Sequence, residues 1–197
     1  LMLNFKKKCT YRLWYHSFST LMKKALVTVG TTKFEELVRA VDSPAFAEVL
    51  RRQGFQELII QTGTGRYLPR GLVPHGQQAH AQGLLVRHLN FTSSLPELMS
   101  SCSLIISHAG SGSIFEALTC TSSGTRLVVV PNPNLMDNHQ AELSEHLAAM
   151  GHLVYAAPNT DALMAAVDTL PSVPRVPFKK GTANAIASHI NDIVLQK

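Results

Sequence analysis

The residues best suited to chemistry form a short run of small side chains between an apolar stretch and a helical pattern. After the apolar residues 104–107 come His108, Ala109, Gly110, Ser111, Gly112 and Ser113, and Glu116 follows one turn later. Glycine lets the backbone approach an anion closely, and the first N–H groups of a helix lie unpaired at the positive end of its dipole. The spacing is typical of a nucleotide diphosphate site with a ribose-binding carboxylate, although a tight strand-to-helix turn alone could produce it.

Three further loops rich in glycine, proline or polar residues follow predicted strands, at residues 30–32, 63–66 and 131–140. Ligands of open parallel sheets bind in the crevice at the carboxyl ends of the strands, and all four loops belong to that edge. Turn geometry explains one such loop easily. Four on a single edge favour a binding site.

These loops need a sheet to hold them, and the hydrophobic pattern predicts one. Strands are expected at residues 25–30, 57–62, 84–89, 104–107, 127–131 and 153–156, and helices at 34–41, 45–53, 95–100, 112–119, 138–150 and 161–170. Continuous Val, Ile and Leu runs separated by helices are typical of a parallel sheet covered on both faces. The fold prediction is therefore a doubly wound α/β parallel sheet.

The helix predicted over residues 138–150 illustrates the pattern. Asp137 suits an N-cap, Leu143, Leu147 and Met150 fall on one face, and Gly151 stands where a left-handed C-terminal cap is expected. We expect that face to be core.

Composition favours one domain in a reducing compartment. The chain has 197 residues, of which 45% are hydrophobic, enough for the core of one domain. Its three cysteines, Cys9, Cys102 and Cys120, show no CxxC spacing, so neither a disulfide framework nor a zinc site is indicated. The histidines likewise lack metal-ligand spacing and no DxD motif occurs, so we expect no metal.

The net charge of +5 comes from the beginning of the chain. Six of the 18 basic residues precede Leu26, and the remaining 12 face 13 acidic ones. The folded domain is therefore close to neutral, which disfavours nucleic-acid binding.

Three segments depart from the α/β pattern. Residues 1–23 form a predicted tail. Its first 22 residues could be a basic interfacial or targeting segment, an extension that precedes a true start at Met22, or a disordered segment, and we favour the last two interpretations. Residues 66–82 look too rich in Pro, Gly and Gln for an element, so we expect a lid or, preferably, a disordered insertion. Residues 171–197 combine a proline connector with an amphipathic helix at 182–196. The sequence has no run of 18 apolar residues, so we expect no membrane span.

Four motifs occur in order: residues 26–34 (LVTVGTTKF), 106–113 (ISHAGSGS), 137–143 (DNHQAEL) and 151–153 (GHL). Together they resemble glycosyltransferase family 28, in particular the cytosolic catalytic subunits of the eukaryotic two-subunit enzyme that transfers N-acetylglucosamine from UDP to dolichyl-diphosphate-linked N-acetylglucosamine. The resemblance covers roughly residues 24–170. The insertion after Gly65 and the N-terminal extension depart from it.

This resemblance implies a Rossmann-like fold, equivalent to the C-terminal donor-binding lobe of a GT-B glycosyltransferase and similar to the bacterial enzyme that completes lipid II. It also implies inverting transfer from UDP-N-acetylglucosamine without a cofactor or metal. The acceptor lobe would be a separate membrane-anchored subunit that recruits the chain from the cytosol to the cytoplasmic face of the endoplasmic reticulum.

The resemblance assigns roles to the candidate residues. The donor diphosphate would lie against Gly110, Ser111, Gly112 and Ser113, and Glu116 would bind the ribose hydroxyls. Gly30, Thr31 and Thr32 would meet phosphate or the acceptor side, although Thr32 could instead cap a helix. Asn138, His139 and Gln140 would contact the donor sugar, or be first-turn solvent residues. His108 is either a general base or a structural histidine.

Two other functional classes are alternatives to a glycosyltransferase. An NAD- or flavin-binding domain needs GxGxxG after the first strand and an acid ending the second, whereas the chain offers Gly30-Thr31-Thr32 and Gln61-Thr62. A non-catalytic nucleotide-sugar-binding or scaffold subunit stays open, because no nucleophile of the chain's own is required.

Overall fold

The computed structural model describes residues 22–122, 124–133, 139–172 and 175–178, and of residues 139 and 140 the backbone alone. Residues 1–21 of the predicted tail, the predicted sugar contact Asn138 and the predicted helix at 182–196 lie outside the described residues. The last residue of the predicted tail, Lys23, is the first residue of a strand, so the tail is shorter than predicted.

A seven-stranded sheet forms the centre of the molecule. Its strands are β1 (Lys23–Thr28), β2 (Phe55–Gln61), β3 (Gln78–Ala81), β4 (Leu84–Leu89), β5 (Leu104–His108), β6 (Arg126–Val130) and β7 (Val154–Tyr155). They are arranged in the order β3-β4-β2-β1-β5-β6-β7. All neighbouring strands pair in parallel except β3, which pairs with β4 antiparallel.

In the described part of the chain, six helices cover the sheet: α1 (Glu35–Val41), α2 (Pro44–Arg52), α3 (Leu95–Ser100), α4 (Ser111–Cys120), α5 (His139–Ala149) and α6 (Thr160–Thr169). One face packs against α1, α2 and α6 through side chains such as Phe46, and the other packs against α3, α4 and α5 through side chains such as Met99. The alternate residues of β5 serve the two faces: Ile106 belongs to the first core and Ile105 to the second. Burial on both faces explains why the strands are continuous apolar runs, and the doubly wound prediction is confirmed.

The predicted disorder of residues 66–82 is wrong. Leu72 and Val73 are buried, and residues 78–81 form the edge strand β3. Asp42, at the end of α1, accepts hydrogen bonds from the N–H groups of Gly71 (2.9 Å) and Leu72 (2.7 Å) and from the Tyr67 hydroxyl (2.6 Å). A distant carboxylate thus pairs the backbone of the segment, which composition could not reveal.

The start of the same segment is fastened to α1 as well. Glu35 accepts hydrogen bonds from the N–H groups of Arg66 (3.0 Å) and Tyr67 (3.3 Å), and the Arg39 guanidinium lies 3.9 Å from the Tyr67 ring centre. Burial and the hydrogen bond to Asp42 raise the pKa of Tyr67 to about 12. The insertion is therefore a fixed layer on α1.

Helix α5 matches its prediction in part. Leu143 and Leu147 are buried and Gly151 has a φ of +75°, as expected for a left-handed cap. Met150 is 37% exposed, so its predicted place in the core is wrong. The predicted cap Asp137 lies outside the described residues.

Candidate functional site

A cleft of about 260 Å³ opens at the carboxyl edge of the sheet. Its walls come from the ends of β1, β2, β4 and β5, from the first turn of α3 and from the first two turns of α4. The lining residues are Gly30, Thr31, Gln61, Phe91, Thr92, Leu95, His108, Gly112, Ser113 and Glu116. Six of the predicted site residues therefore meet in one place: Gly30, Thr31, His108, Gly112, Ser113 and Glu116. The predicted residues Thr32, Gly110 and Ser111 are neighbours in the chain and do not line the cleft.

Helix α4 presents free backbone donors to this cleft. Gly110 is its N-cap, without a side-chain capping bond, and the first intrahelical bond runs from the N–H of Ile114 to the carbonyl of Gly110 (3.0 Å). The N–H groups of Ser111, Gly112 and Ser113 bond to no other described residue. The first turn carries no acidic residue, so nothing of the helix's own competes for these donors.

His108 ends β5 at the floor of the cleft and is 6% exposed. Its imidazole fills the space between two glycines: a Cβ on Gly30 would come 2.7 Å from Cε1, and a Cβ on Gly110 would clash with Nε2. Burial lowers the pKa of His108, and Nδ1 has no hydrogen-bond partner within the described part of the chain. The backbone of Thr28 opposes this lowering of the pKa only in part, so the ring is neutral at pH 7, and its Nδ1 is buried beneath the cleft.

The turn after β1 forms the wall opposite α4. Gly30 has a φ of +64°, a conformation that glycine adopts without strain. The Thr32 hydroxyl donates to the carbonyl of Val29 (2.9 Å), and the N-cap of α1 is Phe34. The alternative reading of Thr32 as a helix cap is therefore wrong: its hydroxyl closes the turn. Thr31 is exposed and lines the cleft.

Four lining residues were missed by the sequence analysis: Gln61, Phe91, Thr92 and Leu95. Phe91 is 55% exposed, although it is a large aromatic side chain. The loop after β4 ends at the same edge as the other four loops, because β4 is parallel to β2. Placing that loop with the others would have found Phe91 and Thr92, whereas Leu95 is the first residue of α3 and Gln61 is the last residue of β2.

The remaining candidates sit at the start of α5. This helix follows β6, the neighbour of β5, so its first residue His139 belongs to the same edge of the sheet. The side chains of His139 and Gln140, and all of Asn138, are not described, and their sugar contacts stay predictions. Within the described ranges, no three His, Cys, Asp or Glu side chains are grouped to hold a metal ion. None of the helices there has the length and apolar character needed to cross a bilayer.

Residues 24–194 match the family model of the glycosyltransferase family 28 C-terminal domain. The chain belongs to this family. This range is longer than residues 24–170, which the sequence motifs cover, and it includes most of the C-terminal segment 171–197.

Curated relatives agree with this assignment. The chain is 39% identical over 134 residues to the UDP-N-acetylglucosamine transferase subunit ALG13 of Mus musculus, covering 68% of the chain and 11% of that protein. It is 36% identical over 146 residues to the protein of the same name in Yarrowia lipolytica, covering 73% and 69%. The chain thus spans about a tenth of the mouse protein and about two thirds of the yeast one.

Solved structures share the fold. An NMR solution structure of ALG13 superposes with a TM-score of 0.60 at 28% identity, covering 80% of the chain and 89% of that structure. MurG of Acinetobacter baumannii gives 0.59 at 21% identity, covering 76% and 41%. The second likeness concerns the fold alone. Together with the family match and the ALG13 structure, it confirms the predicted Rossmann-like lobe of the GT-B type.

Proposed function

We propose that the chain binds UDP-N-acetylglucosamine in this cleft and transfers the sugar to N-acetylglucosaminyl-diphospho-dolichol, as the donor-binding subunit of a heteromeric enzyme in N-glycosylation. The observation that carries the proposal is the meeting of three features in one cleft: the free N-terminus of α4, the neutral imidazole of His108, and the carboxylate of Glu116. The names of the relatives support the choice of donor.

The diphosphate lies at the start of α4. The unpaired N–H groups of Gly112 and Ser113, the Ser113 hydroxyl and the dipole of the helix provide the stabilisation that a leaving UDP needs. Ser111, the first residue of α4, lies beside the cleft lining and extends the same set of donors to the part of the diphosphate outside it. These groups act on negative charge as it develops, so we expect transfer to need no metal.

The nucleoside lies toward α3. Phe91 and Leu95 offer an apolar surface on which a flat base can pack, and Glu116 borders the same cleft from the second turn of α4. Glu116 accepts hydrogen bonds from the ribose hydroxyls. Asn138, His139 and Gln140 contact the sugar from the start of α5.

The transfer inverts the anomeric carbon. The acceptor 4-hydroxyl attacks C1 of the donor sugar, the bond from C1 to the diphosphate oxygen breaks, and the electron pair leaves with UDP. A base takes the proton of the attacking hydroxyl. His108 sits at the floor of the cleft between two glycines, which suits holding the leaving group, so we assign the base to the acceptor-lobe subunit.

A partner is part of this proposal. The cleft of about 260 Å³ is smaller than the sites that enclose ligands of this size, so much of the donor extends beyond it. We propose that a membrane-anchored acceptor lobe covers the exposed side, holds the lipid-linked acceptor and keeps the chain at the cytoplasmic face of the endoplasmic reticulum.

The test measures donor binding and transfer separately. The chain alone is titrated with UDP and UDP-N-acetylglucosamine while the backbone signals of Ser111 to Glu116 are followed by NMR. Transfer of labelled N-acetylglucosamine is then assayed with membranes that contain or lack the partner. We expect weak binding by the chain alone and turnover only with the partner. Binding without turnover under any condition would favour the scaffold alternative, and full turnover by the chain alone would refute the two-subunit proposal.

A further inference from the structure

A glutamine amide connects two walls of the cleft. Gln61 is the last residue of β2, in the middle of the sheet, and is 2% exposed. Its neighbours at the same edge are the Gly30 turn after β1 on one side and the loop after β4, which carries Phe91, on the other. Gln61 is therefore placed where it can fix the separation of these two loops.

Every polar atom of this side chain is used. Its Oε1 accepts hydrogen bonds from the Thr28 hydroxyl (2.6 Å) and from the N–H groups of Val29 (3.2 Å) and Gly30 (3.0 Å). Its Nε2 donates to the carbonyls of Gly30 (2.7 Å) and Asn90 (2.7 Å). Both amide hydrogens thus go to the two loops, one to each.

These bonds hold the groups that face the ligand. Gly30 is bonded through both its N–H and its carbonyl, and it is this residue that packs against the His108 ring. Asn90 directly precedes Phe91. One amide therefore sets the position of the turn against which His108 packs and of the aromatic residue across the cleft.

The chemistry of the position requires an amide. An ionised glutamate keeps the acceptor but loses both donors, and it brings a negative charge toward two carbonyl oxygens. Methionine has a similar length and volume but can make none of the five bonds. The two substitutions therefore remove different parts of the same network.

We propose that Gln61 is a positioning residue for the donor: it holds the Gly30 turn and the Phe91 loop at the separation that fits a uridine diphosphate. The inference rests on the proposed function, since it assumes that a nucleotide occupies the cleft. It adds to that function a residue that acts through its neighbours.

The test compares Gln61→Met and Gln61→Glu with Asp42→Ala in the full chain. Asp42 is a suitable control, because it is also buried and its removal breaks three hydrogen bonds. These bonds hold residues 67–72, and Asp42 does not line the cleft. We expect both Gln61 variants to raise the dissociation constant for UDP about tenfold or more, which is the effect of losing one to two well-placed interactions. Asp42→Ala lowers the melting temperature but leaves UDP affinity within about twofold.

With the partner subunit present, the Gln61 variants should raise KM for UDP-N-acetylglucosamine more than they lower kcat, because the network shapes the donor-binding site and not the site of the acceptor. Unchanged UDP affinity in Gln61→Met would overturn the inference, as would an equal loss in Asp42→Ala at the same drop in melting temperature. The unaltered chain is titrated with UDP first. If it does not bind UDP, the proposed function itself is refuted, whatever the variants do.

Discussion

The imidazole of His108 packs directly on Gly30, so that a Cβ on that glycine would come 2.7 Å from Cε1. Two strands, β1 and β5, bring their ends together at this contact, and the cleft lies above it. The contact explains why the first small-residue turn matters to a site that lies about eighty residues further along the chain. It also makes Gly30 a sensitive position.

Gly30→Ala is expected to distort the cleft. Gly30 and Gly76 both have positive φ values, +64° and +69°, so alanine at either costs about 1–2 kcal/mol of backbone strain. A Cβ at Gly76 meets nothing within 4 Å, whereas at Gly30 it must displace His108, at a further cost of about 1–3 kcal/mol. Denaturant unfolding of the two variants measures the difference, and UDP titration should show lost affinity in Gly30→Ala alone. Equal unfolding free energies would mean that His108 moves aside freely.

Glu116→Gln tests the ribose contact. Removing the charge should weaken binding of UDP about tenfold, because hydrogen bonds to a carboxylate are stronger than those to an amide. Glu97→Gln is the control: Glu97 is an exposed residue in the first turn of α3 and does not line the cleft. Isothermal titration of both variants with UDP and with inorganic diphosphate separates the nucleoside from the phosphates. Affinity for diphosphate should not fall in Glu116→Gln, and a fall would place the carboxylate at the phosphates instead.

The sheet could be read from the sequence because its strands are buried on both faces. β4 was predicted at its observed bounds, and β1 and β2 within two residues. The loops after these strands then had to meet at one edge. This is why the sequence alone groups Gly30, His108, Gly112 and Glu116 at one site.

The residues that escaped prediction depend on pairings across the fold. Strand β3 has four residues without an apolar run, and it forms because the edge of β4 offers it backbone partners. The part of the insertion that precedes β3 is held by Asp42, which lies 25 residues before Tyr67 in the chain. Gln61 looks like an ordinary strand terminus until Gly30 and Asn90 are seen on either side of it. Local patterns carry no information about such contacts.

The anchoring of the insertion can be tested through Tyr67. Burial and the hydrogen bond to Asp42 raise the pKa of this phenol to about 12. In Asp42→Asn the negative neighbour is gone, so the pKa should move toward the ordinary value of 10. An NMR titration of the Tyr67 ring signals, in the unaltered chain and in the variant, measures it. An unchanged Tyr67 titration would mean that burial alone raises the pKa.

Stability should fall with acid in a window set by His108. Burial lowers the pKa of its folded form below the ordinary 6.5, so the unfolded chain binds the proton more readily. The contribution is complete above pH 6.5 and is lost as the pH falls from there to the lowered pKa. In His108→Asn the loss of unfolding free energy over this window should be smaller than in the unaltered chain. His80→Asn, at an exposed position on β3, is the control that also removes one imidazole, and the same change in both variants would mean that His108 does not set this window.

Arg175 stabilises the end of the helix whose beginning holds the proposed diphosphate site. Its guanidinium donates to the Thr121 hydroxyl (3.1 Å), directly after the last residue of α4, and to the carbonyls of Ser122 (3.3 Å) and Thr125 (2.7 Å) between α4 and β6. A cation at a helix C-terminus is favourable, and its removal leaves partly buried acceptors without a donor.

Arg175→Met should therefore lower the free energy of unfolding by about 1–3 kcal/mol. Arg70→Met is the control, because Arg70 also bonds to carbonyls, those of Pro74 and Gly76, but in an exposed loop where the loss is about 0.5 kcal/mol or less. Urea unfolding measures both variants. UDP affinity should stay the same in both, since neither arginine lines the cleft. Equal losses of stability would show that the bonds at the end of α4 contribute no more than those of a surface loop.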